Sequence, residues 1–202
     1  AEGVAAFPAH LSFAEAATLP CAALTAWRAL VVEGRLKAGE TVLVQGTGGV
    51  SVFALQFARQ HGARVIVTSS SETKLARAKA LGADHGINYK TTPDWAKEAL
   101  RLTGANGVDH VVEVGGRDTL AQSIEAAAAG GRIAIIGLLS GFPGQIEALP
   151  VFRKNLRVIG VTVGSRAMFE DMARAIAAAG LKPVIDRSFG FEEVPQALRL
   201  MQ

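Results

Sequence analysis

Short apolar runs alternate with amphipathic segments along most of this 202-residue chain. The apolar runs are rich in Val, Ile and Leu, which is typical of strands buried on both faces of a parallel sheet. The segments between them repeat apolar residues at three- and four-residue spacing, which predicts helices. The predicted strands are 41–45, 64–68, 85–87, 108–114, 132–136 and 156–162, and the predicted helices are 22–33, 50–61, 72–81, 93–102, 119–128, 165–179 and 192–201.

Turn and capping residues set further boundaries along the chain. Ser12 and Glu15 have the spacing of a capping box, which predicts a short helix that stops near Pro20. The pair Gly130-Gly131 is predicted to end the helix before it. Residues 138–150 contain glycine and proline and predict a loop, and residues 183–186 predict a last strand.

The alternation of strands and helices predicts an α/β fold. Its expected form is a Rossmann-type, doubly wound parallel six-stranded sheet with helices on both faces. We divide the chain into a helical lead-in at 1–40, a sheet domain at 41–164 and C-terminal helices at 165–202. The chain starts without Met and stops without a final strand, so we expect it to be part of a longer protein.

The first predicted strand leads directly into a glycine cluster that opens a helix. Gly46 and Gly48, with Ser51 in the third position, match the pattern G-x-G-x-x-(G/A) except at its end. Gly46 would permit a sharp turn and Gly48 the close approach of a pyrophosphate, which the N–H groups of the helix would bind. We expect Gly46, Thr47, Gly48, Gly49 and Val50 to form this site. A plain tight turn is the alternative interpretation.

The end of the second predicted strand bears on the choice of dinucleotide. NAD-binding folds place Asp or Glu here, whereas this chain has Ser69, Ser70 and Ser71, with Lys74 one turn later. Hydroxyl groups, a helix start and a cation favour a 2′-phosphate and therefore NADP(H). Glu72 weakens the charge argument, so NAD(H) stays possible. An ordinary serine N-cap beside a solvated lysine is the alternative.

Composition and charge narrow the function classes. The formal charge is only +3 and no dense basic run occurs, so a nucleic-acid partner is not indicated. No apolar stretch is long enough to predict a membrane span. The single cysteine, Cys21, excludes an internal disulfide and indicates a reducing, cytoplasmic location. We expect it to be buried and structural, and no metal site is predicted in this chain alone.

Several motifs together carry a resemblance to a known family. The chain resembles the medium-chain dehydrogenase/reductase superfamily, and within it the quinone oxidoreductase and zinc-type alcohol dehydrogenase-like branch. The resemblance covers essentially the whole chain. Its motifs are ATLPCAALTAW at 17–27, VLVQGTGGV at 42–50, KALGAD at 79–84, VGG at 114–116, GGR at 130–132 and IIG at 135–137.

The resemblance implies hydride transfer between NADP(H) and a carbonyl, alcohol, quinone or enone substrate. Carried over by position, Tyr89 would lie at the phosphate end of the adenosine and Thr25 near the nicotinamide. Gly115, Gly137 and Leu138 would line the nicotinamide ribose and carboxamide. No residue of this chain is assigned a catalytic role.

Three further implications of the resemblance concern the catalytic domain, zinc and assembly. Members of the superfamily begin with a separate β-rich catalytic domain, so we expect the isolated chain to be inactive or nearly so. In zinc-dependent members a cysteine at the position of Cys21 is one of three zinc ligands, and the others come from that missing domain. Relatives also pair through an edge strand, so segment 156–163 predicts a homodimer.

Alternative functions stay open at this point. An S-adenosylmethionine-dependent methyltransferase also uses a glycine-rich turn, but it usually has an acidic residue where this chain has Ser69. A non-catalytic module that binds NADPH or mediates oligomerisation is a second alternative. An NAD-linked zinc alcohol dehydrogenase is a third.

Overall fold

Six parallel strands form one sheet in a computed structural model that describes residues 3–142 and 145–200. Their order is β3-β2-β1-β4-β5-β6, so the strand order reverses between β1 and β4. The predicted six-stranded, Rossmann-type parallel sheet is confirmed. The strands are β1 (Thr41–Gln45), β2 (Arg64–Ser69), β3 (His85–Asn88), β4 (Val108–Glu113), β5 (Ala127–Ile135) and β6 (Arg157–Gly160).

Helices cover both faces of the sheet. One apolar core joins β1 and β2 to α2, α3, α4 and α8, and a second joins β1 and β4 to α5 and α6. Helix α2, which belongs to the first of these cores, has a wider π-type winding in its first and last segments. The helices are α1 (Phe13–Ala17), α2 (Leu19–Ala23, Leu24–Trp27 and Arg28–Glu33), α3 (Gly49–Gln60), α4 (Glu72–Ala80), α5 (Trp95–Leu102), α6 (Leu120–Ala126), α7 (Ala148–Arg153), α8 (Arg166–Ala179) and α9 (Val194–Leu200).

The first helices follow their predicted caps with one correction. The Ser12 hydroxyl accepts a hydrogen bond from the Glu15 N–H at 3.2 Å, and the Glu15 carboxylate accepts one from the Ser12 N–H at 2.7 Å. The predicted capping box is therefore confirmed. Pro20, however, does not end α1, which stops at Ala17. It lies in the first turn of α2, where proline is tolerated because the N–H groups have no helical partner.

Two predicted boundaries near the second half of the sheet are wrong. Gly130-Gly131 lie inside β5, which begins at Ala127 directly after α6. The pairing of β4 with β5 shifts register between Val108 and His110, and the extra β5 residues at this bulge include Gly130 with φ +76°. The predicted loop at 138–150 also contains the start of α7.

The predicted strand at 183–186 is also wrong. The adjacent Lys182 instead fixes this segment beside the helices. Its ammonium donates to the His10 carbonyl at 2.8 Å, and its own carbonyl accepts a hydrogen bond from Gln56 at 2.8 Å. Side-chain contacts thus hold the segment where a strand ladder was expected. Residue 201, which the sequence places in the helix 192–201, lies outside the described part of the chain. Within that part, every helix is too short or too polar to span a bilayer.

A buried polar pair lies near the amino ends of β1 and β4. The His110 ring nitrogen Nε2 lies 2.8 Å from the Glu40 carboxylate. Burial lowers the pKa of His110 below its ordinary value, although Glu40 acts in the opposite direction. Burial also opposes ionisation of Glu40, but hydrogen bonds from His110 and the Lys37 N–H prevail and lower the pKa of Glu40. A neutral His110 therefore donates to an ionised Glu40.

We expect the free energy of unfolding to fall as the pH is lowered from 7.5 to 5. Both folded-state pKa values lie below the unfolded ones, so the unfolded chain binds more protons as the pH drops through about 6.5 and then below about 4.5. His110→Gln keeps a donor toward Glu40 without the titration, so its stability should depend less on pH above 5. Denaturant unfolding at pH 7.5, 6.5 and 5.5 measures this effect.

The matched control is His85→Gln, which removes an exposed histidine from the sheet edge. This variant should keep the pH dependence of the unsubstituted protein. Equal pH dependence in His110→Gln and the unsubstituted protein would show that the buried pair does not contribute.

Candidate functional site

The glycine-rich turn after β1 faces open space. Gly46 has φ +71°, in the left-handed region that favours glycine, and its N–H donates to the Thr68 carbonyl at 2.8 Å. A Cβ added to Gly46 or Gly48 would meet no atom within 4 Å. Gly48 is the N-cap of α3 and has no side chain to cap it, so the first N–H groups of the helix point toward this space. The turn fits a phosphate-bearing ligand.

Ser51 explains how the turn departs from the glycine pattern. Its side chain is buried, and its hydroxyl donates to the Gln45 carbonyl at 2.7 Å. The third position therefore holds a small side chain that satisfies a carbonyl at the end of β1. The close packing of α3 on the strand is kept without the third glycine.

A cavity of about 360 Å³ adjoins this turn. It is bounded by Gly46–Gly49, by Lys74 and Arg77 of α4, and by Val184 and Asp186 of the C-terminal segment. Five residues of the predicted site, the four of the turn and Lys74, are thus brought together. The apolar part of the wall consists of Val52, Phe53, Leu55, Val67, Ala78 and Leu81.

The serines after β2 lie beside the same region with different exposure. Ser69 is buried and Ser70 is half-buried. Ser71 is the N-cap of α4, and its hydroxyl accepts a hydrogen bond from the Lys74 N–H at 3.4 Å. The Tyr89 N–H donates to the Ser69 carbonyl at 3.1 Å, so the half-exposed Tyr89 is also placed at this end of the sheet.

An ion pair that the sequence did not predict lies on the cavity wall. Arg77 Nη1 lies 3.0 Å from Asp186 Oδ1, and both side chains are largely exposed. The pair joins α4 to a segment more than one hundred residues away. It adds a second cation and one carboxylate to the cavity that Lys74 lines.

Gly115, Gly137 and Leu138 come together at the carboxyl ends of β4 and β5. A Cβ added to Gly137 would lie 2.6 Å from the Val114 carbonyl oxygen, and one added to Gly116 would lie 3.0 Å from the Leu138 Cα. The two turns are therefore in direct contact and leave no room for larger residues at Gly116 and Gly137. They form a second group next to β1, outside the cavity.

Thr25 and Val50 are the predicted residues whose side chains are engaged elsewhere. The buried Thr25 hydroxyl donates to the Cys21 carbonyl at 2.7 Å. The same helix touches the glycine turn through Ala22, whose Cβ lies 3.3 Å from a Cβ added to Gly49. Val50 packs against the first apolar core. Thr25 is therefore near the turn but does not line the cavity.

The prediction that Cys21 is buried is wrong. Leu19 and Ala23 are fully buried, whereas Cys21 between them is exposed, because residues two apart face opposite sides of a helix. In the part of the chain that the structure describes, no group of three or more His, Cys, Asp or Glu side chains could hold a metal. These residues do not by themselves fit a zinc site.

Comparison with known proteins identifies the family. A model of the family described as zinc-binding dehydrogenase matches residues 49–178. A zinc-type alcohol dehydrogenase-like protein of Schizosaccharomyces pombe is 49% identical over 196 residues, which cover 94% of this chain and 57% of that protein. This chain thus spans little more than half the length of that relative.

Solved structures agree with this match. An NAD-dependent alcohol dehydrogenase is 44% identical with a TM-score of 0.89, over 98% of this chain and 57% of that one. The quinone oxidoreductase of Thermus thermophilus, also solved with NADPH, is 34% identical with a TM-score of 0.83, over 98% of this chain and 65% of that one. The predicted resemblance is confirmed, and the chain belongs to the zinc-binding dehydrogenase family of the medium-chain dehydrogenase/reductase superfamily.

Proposed function

We propose that this chain binds NADP(H) and forms the cofactor-binding part of an oxidoreductase. The observation that carries the proposal is the open space over Gly46 and Gly48 at the start of α3. It lies at the carboxyl end of β1, where the strand order reverses and where such sheets bind dinucleotides. The bound nicotinamide would supply the hydride, and the residues of this chain would hold and orient it.

The substrate of the whole protein is proposed to be a small carbonyl or alcohol, or a quinone or enone. Similar proteins include alcohol dehydrogenases and quinone oxidoreductases. The residues that contact the substrate would lie outside this chain, which covers 57% of the S. pombe relative. We therefore propose that the isolated chain binds cofactor with little or no turnover. A non-catalytic binding module would differ in showing no dehydrogenase activity even as part of a chain of the relatives' full length.

The preference for NADP(H) is supported by the groups around the end of β2. This end presents Ser70, a helix N-terminus and Lys74, with no acidic side chain in the position that binds a ribose 2′-hydroxyl. Arg77 adds a second cation on the cavity wall. Asp186 pairs with Arg77 and opposes the binding of a phosphate. The proposal is that the cations and hydroxyls prevail.

We also propose that the protein is a homodimer that pairs through β6. This strand is bonded to β5 and lies at the edge of the sheet. Large apolar side chains are exposed on α7, directly before it: Leu149 is 55% exposed and Phe152 is 77% exposed. An unpaired strand edge next to exposed apolar side chains is suited to pairing with a second copy.

Lys74→Ala is expected to weaken NADPH binding about tenfold while changing NADH binding less than twofold. The substitution removes a cation that would pair with the 2′-phosphate, and tenfold corresponds to about 1.4 kcal/mol. Calorimetric titration with each dinucleotide measures both affinities. Lys79→Ala, on the same helix but outside the cavity wall, is the control. Equal or tighter binding of NADH by the unsubstituted protein would instead indicate an NAD-linked enzyme.

Asp186→Asn is expected to strengthen NADPH binding by up to about fivefold. It removes a carboxylate from the cavity wall and releases Arg77, and exposed ion pairs of this kind contribute at most about 1 kcal/mol. The gain should shrink as salt is raised from 50 to 500 mM because screening weakens these interactions. Asp171→Asn, on the exposed surface of α8, is the matched control. An equal gain for NADH would contradict the assignment to the 2′-phosphate.

Sedimentation equilibrium is expected to give twice the chain mass of 21.0 kDa. Phe152→Glu should shift the protein toward monomer because it places a charge beside the pairing edge. Phe191→Glu alters a phenylalanine that is also exposed but lies far along the chain, so it should leave the mass unchanged. A monomer of unsubstituted protein at tens of micromolar would contradict the dimer.

A further inference from the structure

Glu113 is a fully buried carboxylate at the carboxyl end of β4. Its Oε1 accepts hydrogen bonds from the N–H groups of Gly115 at 2.8 Å and Gly116 at 2.9 Å, and from the Thr119 hydroxyl at 2.6 Å. Its Oε2 accepts hydrogen bonds from the Gln45 amide at 2.7 Å and from the Ser123 hydroxyl. Both oxygens of the Glu113 side chain therefore act as acceptors toward these five donors.

Gln45, the last residue of β1, completes this network. Its Oε1 accepts hydrogen bonds from the N–H groups of Val114 at 3.1 Å and Gly115 at 3.2 Å. Its Nε2 donates to Glu113 and also to the Ser123 hydroxyl at 2.8 Å. Gln45 directly precedes Gly46, so the network joins the glycine-rich turn to the turn after β4.

The turn after β5 is attached to the same structure. The Ser140 N–H and hydroxyl both donate to the Gly115 carbonyl, at 2.8 and 2.9 Å. The Leu139 N–H donates to the Val114 carbonyl at 3.2 Å. Glu113 therefore orients the peptide groups after β4 directly, and those after β5 through Val114 and Gly115.

The network around Glu113 lies where a buried charge can serve ligand binding. Moving a carboxylate out of water is costly unless donors surround it, and an apolar pair would close the same space at less cost. This carboxylate lies where the strand order reverses, at the crevice that binds dinucleotides in such folds. Its donors include the backbone of Gly115, one of the residues predicted to line the nicotinamide side.

We propose that Glu113, together with Gln45, is the positioning residue for the nicotinamide half of the cofactor site. The inference rests on the proposed function. The fold consists of two mononucleotide-binding halves. The half formed by β1–β3 carries the glycine turn, Ser70 and Lys74, whereas the half formed by β4–β6 carries the turns that Glu113 orients. Loss of Glu113 should therefore affect the nicotinamide half and spare the adenosine half.

Glu113→Gln tests the network without changing its volume. The new amide must present its NH₂ group either to the N–H groups of Gly115 and Gly116 or to the Gln45 amide, and these donors cannot accept a hydrogen bond. The double substitution Q45E/E113Q removes this conflict. It moves the charge to the end of β1 and again gives every donor an acceptor, because Ser123 can donate to either carboxylate.

Binding of NADPH and of 2′,5′-ADP, which lacks the nicotinamide half, is measured for each variant. We expect Glu113→Gln to weaken NADPH binding at least tenfold and 2′,5′-ADP binding less than twofold. Q45E/E113Q should restore NADPH binding to within about threefold of the unsubstituted protein. Circular dichroism and thermal unfolding confirm that each variant is folded.

Two milder substitutions, both at Thr119, keep the test decisive if Glu113→Gln does not fold. Thr119→Val removes one donor to Glu113 at nearly constant volume, and Thr119→Ser keeps the hydroxyl. Thr119→Val should weaken NADPH binding severalfold without changing 2′,5′-ADP binding, and Thr119→Ser should change neither.

Two results would overturn the inference while the cofactor proposal stands. One is unchanged NADPH binding in Glu113→Gln or, where that variant is unfolded, in Thr119→Val. The other is an equal loss for NADPH and 2′,5′-ADP, which would indicate a structural role only. If the unsubstituted protein binds neither ligand, nor NADH or 5′-AMP, the cofactor proposal fails and this inference fails with it.

Discussion

Burial of both faces of the sheet is the constraint on which the placement of polar groups in this fold depends. Every residue of β1 is buried, and its central residues Val42, Leu43 and Val44 are apolar because helices cover both sides of the strand. Polar side chains are satisfied mainly near strand ends, where turn backbone supplies donors and acceptors. A ligand that needs polar contacts must therefore bind at an end of the strands, and the glycine turn makes the carboxyl end the open one.

Local signals predicted most of the fold because they act within one element. The apolar runs and the closing glycines gave β1, β2 and α3 to within about one residue. The misses arise from contacts between distant elements. Gly130-Gly131 mark a bulge that exists only because β4 and β5 shift register, and segment 183–186 is held beside the helices by Lys182 and Gln56. No pattern confined to one segment contains that information.

The residues of the candidate site also fall into two groups: those that local sequence patterns predict, and those that only the folded chain brings together. Its glycine-rich turn is predictable because glycine spacing reports a local backbone shape, and Lys74 follows from its position one turn after the serines. Asp186 could not be assigned to the site, since only the folded chain brings it to Arg77. The position of Glu113 is itself a sequence signal, because an acidic residue at the end of an apolar strand must find donors. The N–H groups of Gly115 and Gly116, two and three residues later, supply them.

The two polar pairs at opposite ends of β1 and β4 show how one strand pairing serves two purposes. Val42 is in register with His110 and Val44 with Val112, so Glu40–His110 and Gln45–Glu113 lie at the two ends of the same ladder. A slip of one residue would separate both pairs, so together they favour the observed register. They differ in what surrounds them. The first lies at the amino end of the ladder, away from the glycine turn, and we expect it to act on stability. The second bonds to the backbone of the turn after β4, at the carboxyl end, where it can act on a ligand.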